Sequence, residues 1–502
     1  MKEMKLLGKK YKFYADVMAS HDGVTGSCIL VTFVYPDGTK EHILIDCGSY
    51  QEKKYEALNA KFYFVPRDVQ CVVVTHVHAD HIGRLPLLAK QGFDGKVYGT
   101  KETLALLPIA LEDSVKLQKL HAKQAKRKPL YQKEDVERLL HQIVAVTPKR
   151  WGKLTEHVSA MFVRNGHLAG SASIVIQAEY PGEEPIYIVA TGDYKKENLF
   201  FETDDFPEWL TKEEPVTVLT ESTYGDTVST DIPKTFEENV ASAIAKGGTV
   251  VVPVFAIGRS QEILYVLKSM QDKGSITRKT PVFFVGNLAA RYTKMYIEEL
   301  EIKEEMKDLL PRNLTWLSDT KSIEEKARNS KNGAVIVTTS GMGSFGPAQT
   351  IIPMFLSDPN ALIHFTGYTA EGTLGRRLLE AEKGKVVKIN GKPIVKRAEV
   401  KTTGEFSSHA KADELLAFLT QFKGLKTVLI NHGEPNVKLA FEGRIQEDPS
   451  CTEKNTVVLD RDKVVRLGRY GMIKVFPSKL PNPRKDDVKA KKDKKKKRVK
   501  IR

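Results

Sequence analysis

The sequence predicts a mixed α/β protein, a two-sheet sandwich with helices outside it, interrupted by a smaller parallel α/β domain. Three observations predict this. Up to about residue 200 the chain reads as strands, then helices, then strands, the order that half of an αββα sandwich requires. From Asp226 strand and helix alternate, the rhythm of a parallel sheet. After Lys396 a β-rich style with histidines at element ends resumes. A chain of 502 residues is too long for one core, and these shifts divide it into 1–225, 226–395, 396–476 and a basic remainder, 477–502.

The elements follow in order. CILVTFVY from Cys28 and HILIDC ending at Cys47 flank Pro36-Asp37-Gly38, whose residue types favour a tight turn, so a hairpin is expected. A strand over Cys71–Thr75 comes next, then helices near Leu85–Lys90 and Lys101–Ala125, with another from Lys133 after the break at Pro129. Strands return at Ala160–Arg164, Ser173–Tyr180, Ile186–Ala190 and in VTVLT before Glu221. The inserted domain is expected to place strands at Thr249–Phe255, Pro281–Val285, Ala334–Thr338 and Leu362–Phe365, with helices over Gly258–Gln271 and Leu288–Leu300. A helix over Asp413–Phe422 and strands at Thr427–Ile430 and Gly471–Phe476 close the fold.

Composition narrows the class. No run approaches the ~18 continuous apolar residues of a membrane span, and the Lys-rich start lacks the apolar stretch of a secretory signal. A cytoplasmic protein with no membrane partner is expected. Cys28, Cys47, Cys71 and Cys451 show no CxxC pairing and read as reduced, structural thiols. Of the formal charge of +15, residues 484–502 carry +9, from twelve Lys or Arg against three Asp. Such a segment has almost nothing to bury, so it reads as solvated; it suits a polyphosphate partner, a solubility tail or a nuclear-localisation signal alike.

The chemistry concentrates in Thr75-His76-Val77-His78-Ala79-Asp80-His81, directly after an apolar strand. Imidazole and carboxylate are the ligands that zinc takes, and this spacing lets one loop serve two ions. Further polar clusters end strands at Asn165-Gly166-His167-Leu168-Ala169-Gly170-Ser171, Thr191-Gly192-Asp193, Glu221-Ser222-Thr223-Tyr224-Gly225 and Asn431-His432-Gly433-Glu434, while Phe406-Ser407-Ser408-His409-Ala410 precedes a helix.

HVHADH followed by these clusters, with Gly83-Arg84-Leu85-Pro86, Gly258-Arg259-Ser260-Gln261-Glu262, Ser340-Gly341-Met342 and the stretch from Gly367 to Arg376, resembles the β-CASP nucleases of the metallo-β-lactamase superfamily across about residues 15–476. The resemblance implies a metallo-β-lactamase αββα sandwich with an inserted parallel α/β β-CASP domain. It implies two Zn2+ per chain, with Mn2+ as the alternative: His76, His78 and His167 on one, Asp80, His81 and His432 on the other, Asp193 bridging, and Asp46 orienting the loop from behind. It implies a metal-bound hydroxide attacking an RNA phosphodiester, with Asp80, His409 and Glu221 as the catalytic groups and His409 protonating the leaving oxygen. Ser407, Ser408, Arg259 and Arg376 are the candidate substrate contacts, with Arg377 a further arginine on the same path; the serines could equally cap the following helix.

Three departures from the family pattern stand out. Thr227-Val228-Ser229 stands where many relatives have a histidine, Lys411 replaces the aspartate of the usual HAD triplet, and Lys195-Lys196 replaces Gly-Arg. The two lysine changes are expected to add or retain charge near the phosphate path. The resemblance favours a ribonuclease, endonucleolytic with 5′-3′ exonuclease activity open, because His432 stands where DNA-processing relatives carry valine and Glu221 where the exonuclease-rich RNase J branch has aspartate. A DNA nuclease, a lactam or thioester hydrolase and a noncatalytic RNA-binding scaffold are the alternatives. RNA is the expected partner, and a homodimer is left open.

Overall fold

The computed structural model describes residues 12–478 except 232, 233, 368, 370, 371 and 452. The basic segment 484–502 lies outside the described residues. The chain divides into two units: Met1–Glu197 with Thr203–Thr227 and His409–Arg502, and Asn198–Glu202 with Val228–Ser408.

The first unit contains two sheets. The eight-stranded one runs in spatial order Gly471–Pro477, Lys463–Gly468, Tyr14–Ala19, Ile29–Val34, Lys40–Ile45, Cys71–Val73, Lys96–Thr100 and Ile143–Val146. The seven-stranded one runs Asn455–Val458, Leu425–Ile430, Val216–Thr220, Ile186–Ala190, Ala172–Ala178, Val158–Arg164 and Trp151–Lys153. Val17, Val31, Phe33 and Ile43 from one sheet join Phe162, Ile174, Ile188 and Leu429 from the other in a single core. Side chains alternate across a strand, and Ala172–Ala178 uses both directions: Ile174 and Ile176 enter that core, while Val175 between them packs with Phe418 and Phe441 on the outer face. A strand apolar on both faces must be covered on both, which is the αββα arrangement.

Strand direction decides where the loops gather. Val158–Arg164 and Ile186–Ala190 are each antiparallel to Ala172–Ala178, and Ile186–Ala190, Val216–Thr220 and Leu425–Ile430 pair in parallel. With Asn455–Val458 also parallel to Leu425–Ile430, five carboxyl ends of the second sheet lie along one edge. In the first sheet Lys40–Ile45 and Cys71–Val73 are also parallel, which brings Asp46 beside the loop that starts at Val74.

The second unit holds a six-stranded sheet in which every neighbouring pair is parallel, in the order Leu314–Leu317, Val282–Val285, Ala334–Thr338, Thr249–Pro253, Leu362–Phe365 and Glu399–Thr402. Its last strand corrects the expected boundary at 395/396. Glu399–Thr402 pairs with Leu362–Phe365, so backbone hydrogen bonding keeps this stretch with the inserted sheet and the unit runs on to Ser408. All four cysteines are free and buried, and no described helix is long and apolar enough to cross a membrane.

Candidate metal centre

The loop after Cys71–Val73 is held from behind by Asp46, which sits at φ +59°, a strained left-handed backbone conformation for a residue with a side chain. Its Oδ1 accepts the Thr75 N–H at 2.8 Å, its Oδ2 accepts the Thr75 hydroxyl at 2.8 Å, and Oδ2 lies 2.7 Å from His81 Nδ1. With Nδ1 so occupied, His81 turns Nε2 inward. Gly48 is needed for the same close approach, since a Cβ there would lie 1.4 Å from the Asp80 carbonyl oxygen.

Asn165 fixes the opposite wall. Its Oδ1 accepts the His167 N–H at 3.1 Å and the Ser171 hydroxyl at 2.7 Å, while its Nδ2 donates to the carbonyls of Thr191 and Asp193 at 3.2 and 3.1 Å. One side chain thus sets the loops of both His167 and Asp193. His432 follows Leu425–Ile430 at φ +46°, a second strained position, and its Nδ1 lies 3.2 Å from the Thr223 hydroxyl.

Among the described residues two groups of donor atoms are built on the histidine loop, His76, His78, His167 and Asp193 in one and Asp80, His81 and His432 in the other, and a third, Asp193 with Glu221 and His409, adjoins them. In the first, His78 Nδ1 lies 3.1 Å from the Nε2 atoms of both His76 and His167, and Asp193 Oδ2 lies 3.5 and 3.6 Å from those same two atoms. In the second, the Nε2 atoms of His81 and His432 are 3.2 Å apart, and Asp80 Oδ2 lies 3.9 and 3.8 Å from them. Asp193 Oδ1 faces the second group, 3.3 Å from His81 Nε2 and 3.4 Å from His432 Nδ1. One carboxylate therefore presents an oxygen to each group.

These donors fit a pair of cations. Asp193 Oδ1 is buried with no hydrogen-bond partner among the described residues, and buried polar atoms of that kind call for an ion or a water. Burial, with His81 nearby, holds His76 well below the usual histidine range and pushes His78 down to about 4, so both rings are neutral, as ligation requires. Burial works against a proton on His81 too, but the Asp193 and Asp46 carboxylates outweigh it and raise the ring well above the usual range, so the surroundings favour a positive charge at this ring, which a cation would supply in the proton's place. Burial would raise Asp193, yet His432 and His81 hold it well below the carboxylate range.

At the edge of the first group, His409 Nδ1 lies 2.9 Å from Glu221 Oε2, and Glu221 Oε1 accepts the Tyr194 N–H at 2.6 Å. Burial opposes a proton on His409, and the Glu221 and Asp193 carboxylates raise it above its ordinary value. The carboxylate is buried, whereas the imidazole keeps about a fifth of its side-chain surface.

The remaining expected site residues fare differently. Arg259 is buried, and its guanidinium is engaged by Glu262 at 2.9 Å and by the carbonyls of Thr366 and Phe406, so the expectation of a phosphate-lining arginine is replaced by a crosslink inside the second unit. Arg376 is exposed and paired with Glu380 at 2.6 Å. Ser407 and Ser408 do not cap the next helix, which spans Ala412–Thr420 and starts from Lys411. The two lysine departures do not stand free along a phosphate path either: Lys195 pairs with Glu414 at 2.5 Å, and Lys411 is buried against Tyr224. Sequence reading passes over His21, which is fully buried with its ring 6.2 Å from that of His432 and neither nitrogen hydrogen-bonded among the described residues.

Compared with known proteins, residues 21–166 match the metallo-beta-lactamase superfamily, 260–378 the Beta-Casp domain and 393–457 the Zn-dependent metallo-hydrolase RNA specificity domain. The chain is 33% identical over 412 residues to ribonuclease TTHA0252 of Thermus thermophilus, covering 80% of this chain and 89% of that one. It is 29% identical to an RNase J-like protein of Methanocaldococcus jannaschii, covering 83% and 93%. It is 26% identical to Integrator complex subunit 11 of Gallus gallus, covering 84% and 69%.

Proposed function

The chain belongs to the β-CASP family of metallo-β-lactamase-fold ribonucleases, and from that premise we propose that it is a two-zinc endoribonuclease in which His409 is the proton donor. The observation that carries the proposal is the Asp193 carboxylate shared between two donor groups, beside a histidine held by Glu221. His76, His78 and His167 would hold one ion and Asp80, His81 and His432 the other, with Asp193 common to both. When bound, two such cations supply Lewis-acid chemistry, lowering the pKa of a water to about 7 and offsetting charge on a phosphodiester.

The chain's own residues supply the rest. Glu221 orients the His409 ring through Nδ1 and favours its protonated form, leaving Nε2 to give a proton to the departing ribose oxygen. Cleavage of that bond leaves a 5′-phosphate on one fragment and a 3′-hydroxyl on the other. Asp46 and Asn165 hold the histidine loops in register, so that the donors are preorganised. Asp80, less buried than His81 beside it, is a ligand at the solvent side of the second group. Ser407, Ser408 and Arg376 remain the candidates for contact with the RNA, and the match to an RNA specificity domain supports RNA over DNA.

The test is cleavage of one RNA, labelled separately at each end and carrying either a 5′-triphosphate or a 5′-monophosphate, by metal-analysed protein with Asp193→Ala as control. Internal fragments that do not depend on the 5′ group are the expected result. Mononucleotides from the monophosphate form alone would make the enzyme a 5′-exonuclease, and full activity with full metal content in Asp193→Ala would overturn the shared-carboxylate site.

A further inference from the structure

Lys195 and Lys411, both departures from the family pattern, meet at one carboxylate. Glu414 Oε1 lies 2.5 Å from the Lys195 ammonium, and Glu414 Oε2 accepts the Lys411 backbone N–H at 2.8 Å, which is half of a capping box at the start of Ala412–Thr420. The Lys411 side chain reaches Tyr224: it is 3% exposed, and its ammonium lies 3.2 Å from the centroid of the Tyr224 ring. A single parallel bridge pairs the two residues through the backbone as well.

Around this contact the Ala410 N–H donates to the Tyr194 carbonyl at 2.6 Å, the Ala412 N–H to the Thr227 carbonyl at 2.8 Å, and the Tyr194 N–H to Glu221 Oε1 at 2.6 Å. Each of these bonds joins two of the three segments that carry Asp193, Glu221 and His409.

We infer that Lys411 is a positioning residue: its buried ammonium, seated on the Tyr224 ring, locks the segment bearing His409 against the segment bearing Glu221. A desolvated ammonium is attracted to the negative face of an aromatic ring, so the contact resists separation of the two segments. The contact lies two residues from His409 and three from Glu221, so it limits how far either can drift. It also explains why an aspartate at 411 would not suit this chain: an anion would face the negative ring face and stand close to Glu414.

The inference rests on His409 being the proton donor, so the test separates the two. The kcat and KM on one end-labelled RNA, the metal content and the Tm are measured for wild type, Lys411→Arg, Lys411→Met, Lys411→Asp, Tyr224→Phe, Tyr224→Leu, His409→Ala and the double variant Lys411→Met with His409→Ala. Lys411→Met and Tyr224→Leu should lose about tenfold in kcat with KM and metal content unchanged, while Lys411→Arg and Tyr224→Phe stay within about twofold. Lys411→Asp should be slower than Lys411→Met, and the Lys411→Met loss should vanish in the His409→Ala background. Wild-type kcat in Lys411→Met, or an equal loss without His409, would overturn the positioning role. Should Lys411→Met not fold, Tyr224→Leu carries the same comparison with the lysine intact. Full activity in His409→Ala would overturn the proton-donor reading instead, whatever Lys411 does.

Discussion

His409 Nδ1 sits 2.9 Å from Glu221 Oε2 while Nε2 of the same ring lies 3.9 Å from Asp193 Oδ2, so the imidazole spans from a buried carboxylate to the edge of the metal centre. Glu221→Gln keeps the shape and an acceptor for the Tyr194 N–H but removes the charge. The variant should lose on the order of 10²-fold in kcat and keep its metals. Elemental analysis beside single-turnover cleavage checks this, and an unchanged rate would remove Glu221 from the chemistry.

Asp46 acts one step further back. Asp46→Asn keeps one acceptor for Thr75 but weakens the hold on His81 Nδ1. Metal affinity should fall about 10–100-fold, read by competition with a chromogenic chelator. Equal affinity in the two proteins would show that Thr75 alone sets the loop.

Gly48→Ala places a methyl carbon where the Asp80 carbonyl oxygen already stands, at 1.4 Å. Neither backbone can yield without moving the loop, so a loss of about 3 kcal/mol or more is expected. Denaturant melts of the metal-loaded proteins measure it; a loss under about 1 kcal/mol would mean that the loop relaxes freely.

In the second unit, His364 is buried on Leu362–Phe365, with Nδ1 3.1 Å from the Phe365 carbonyl oxygen and Nε2 3.2 Å from Asn239 Nδ2. Burial, with Lys401 adding to it, pushes its pKa down to about 4, against the Phe365 carbonyl's opposing pull. The unfolded chain takes up this proton near pH 6.5, so stability is intact above that value and is lost as pH falls toward 4, by up to ~3 kcal/mol. His364→Gln should therefore show a shallower fall in Tm than wild type between pH 6.5 and 4. Parallel curves would refute the assignment.

Deleting 484–502 removes +9 of charge. RNA affinity should drop and the dependence of log K on log salt should flatten. An unchanged slope would show that these lysines do not touch phosphate.

Much of the architecture is legible in the residues alone, for reasons that differ by element. Ile186–Ala190, Ala334–Thr338 and Leu362–Phe365 stand where their apolar runs place them, because each is buried along its whole length and is followed by a threonine. Tyr14–Ala19 is not legible: only alternate residues are buried, and its partner on one side, Lys463–Gly468, lies some 450 residues away. Glu399–Thr402 falls to the wrong domain because an exposed, polar edge strand carries no hydrophobic signal, and only its pairing declares where it belongs. In the site, the histidine loop announces itself by spacing, whereas Asn165 acts through hydrogen bonds that spacing does not encode, and His21 stands far along the chain from the other histidines of the site. Arg259 misleads for the complementary reason, since an arginine in a motif looks the same whether it meets phosphate or its own backbone carbonyls.

His81 and His432 touch across 351 residues of chain. A nascent polypeptide leaving the ribosome can therefore display the HVHADH loop long before it owns the second donor group, which waits until residue 432 has emerged. Completion of both donor groups is therefore a late event in synthesis, and a chain truncated before residue 432 can never assemble the second one.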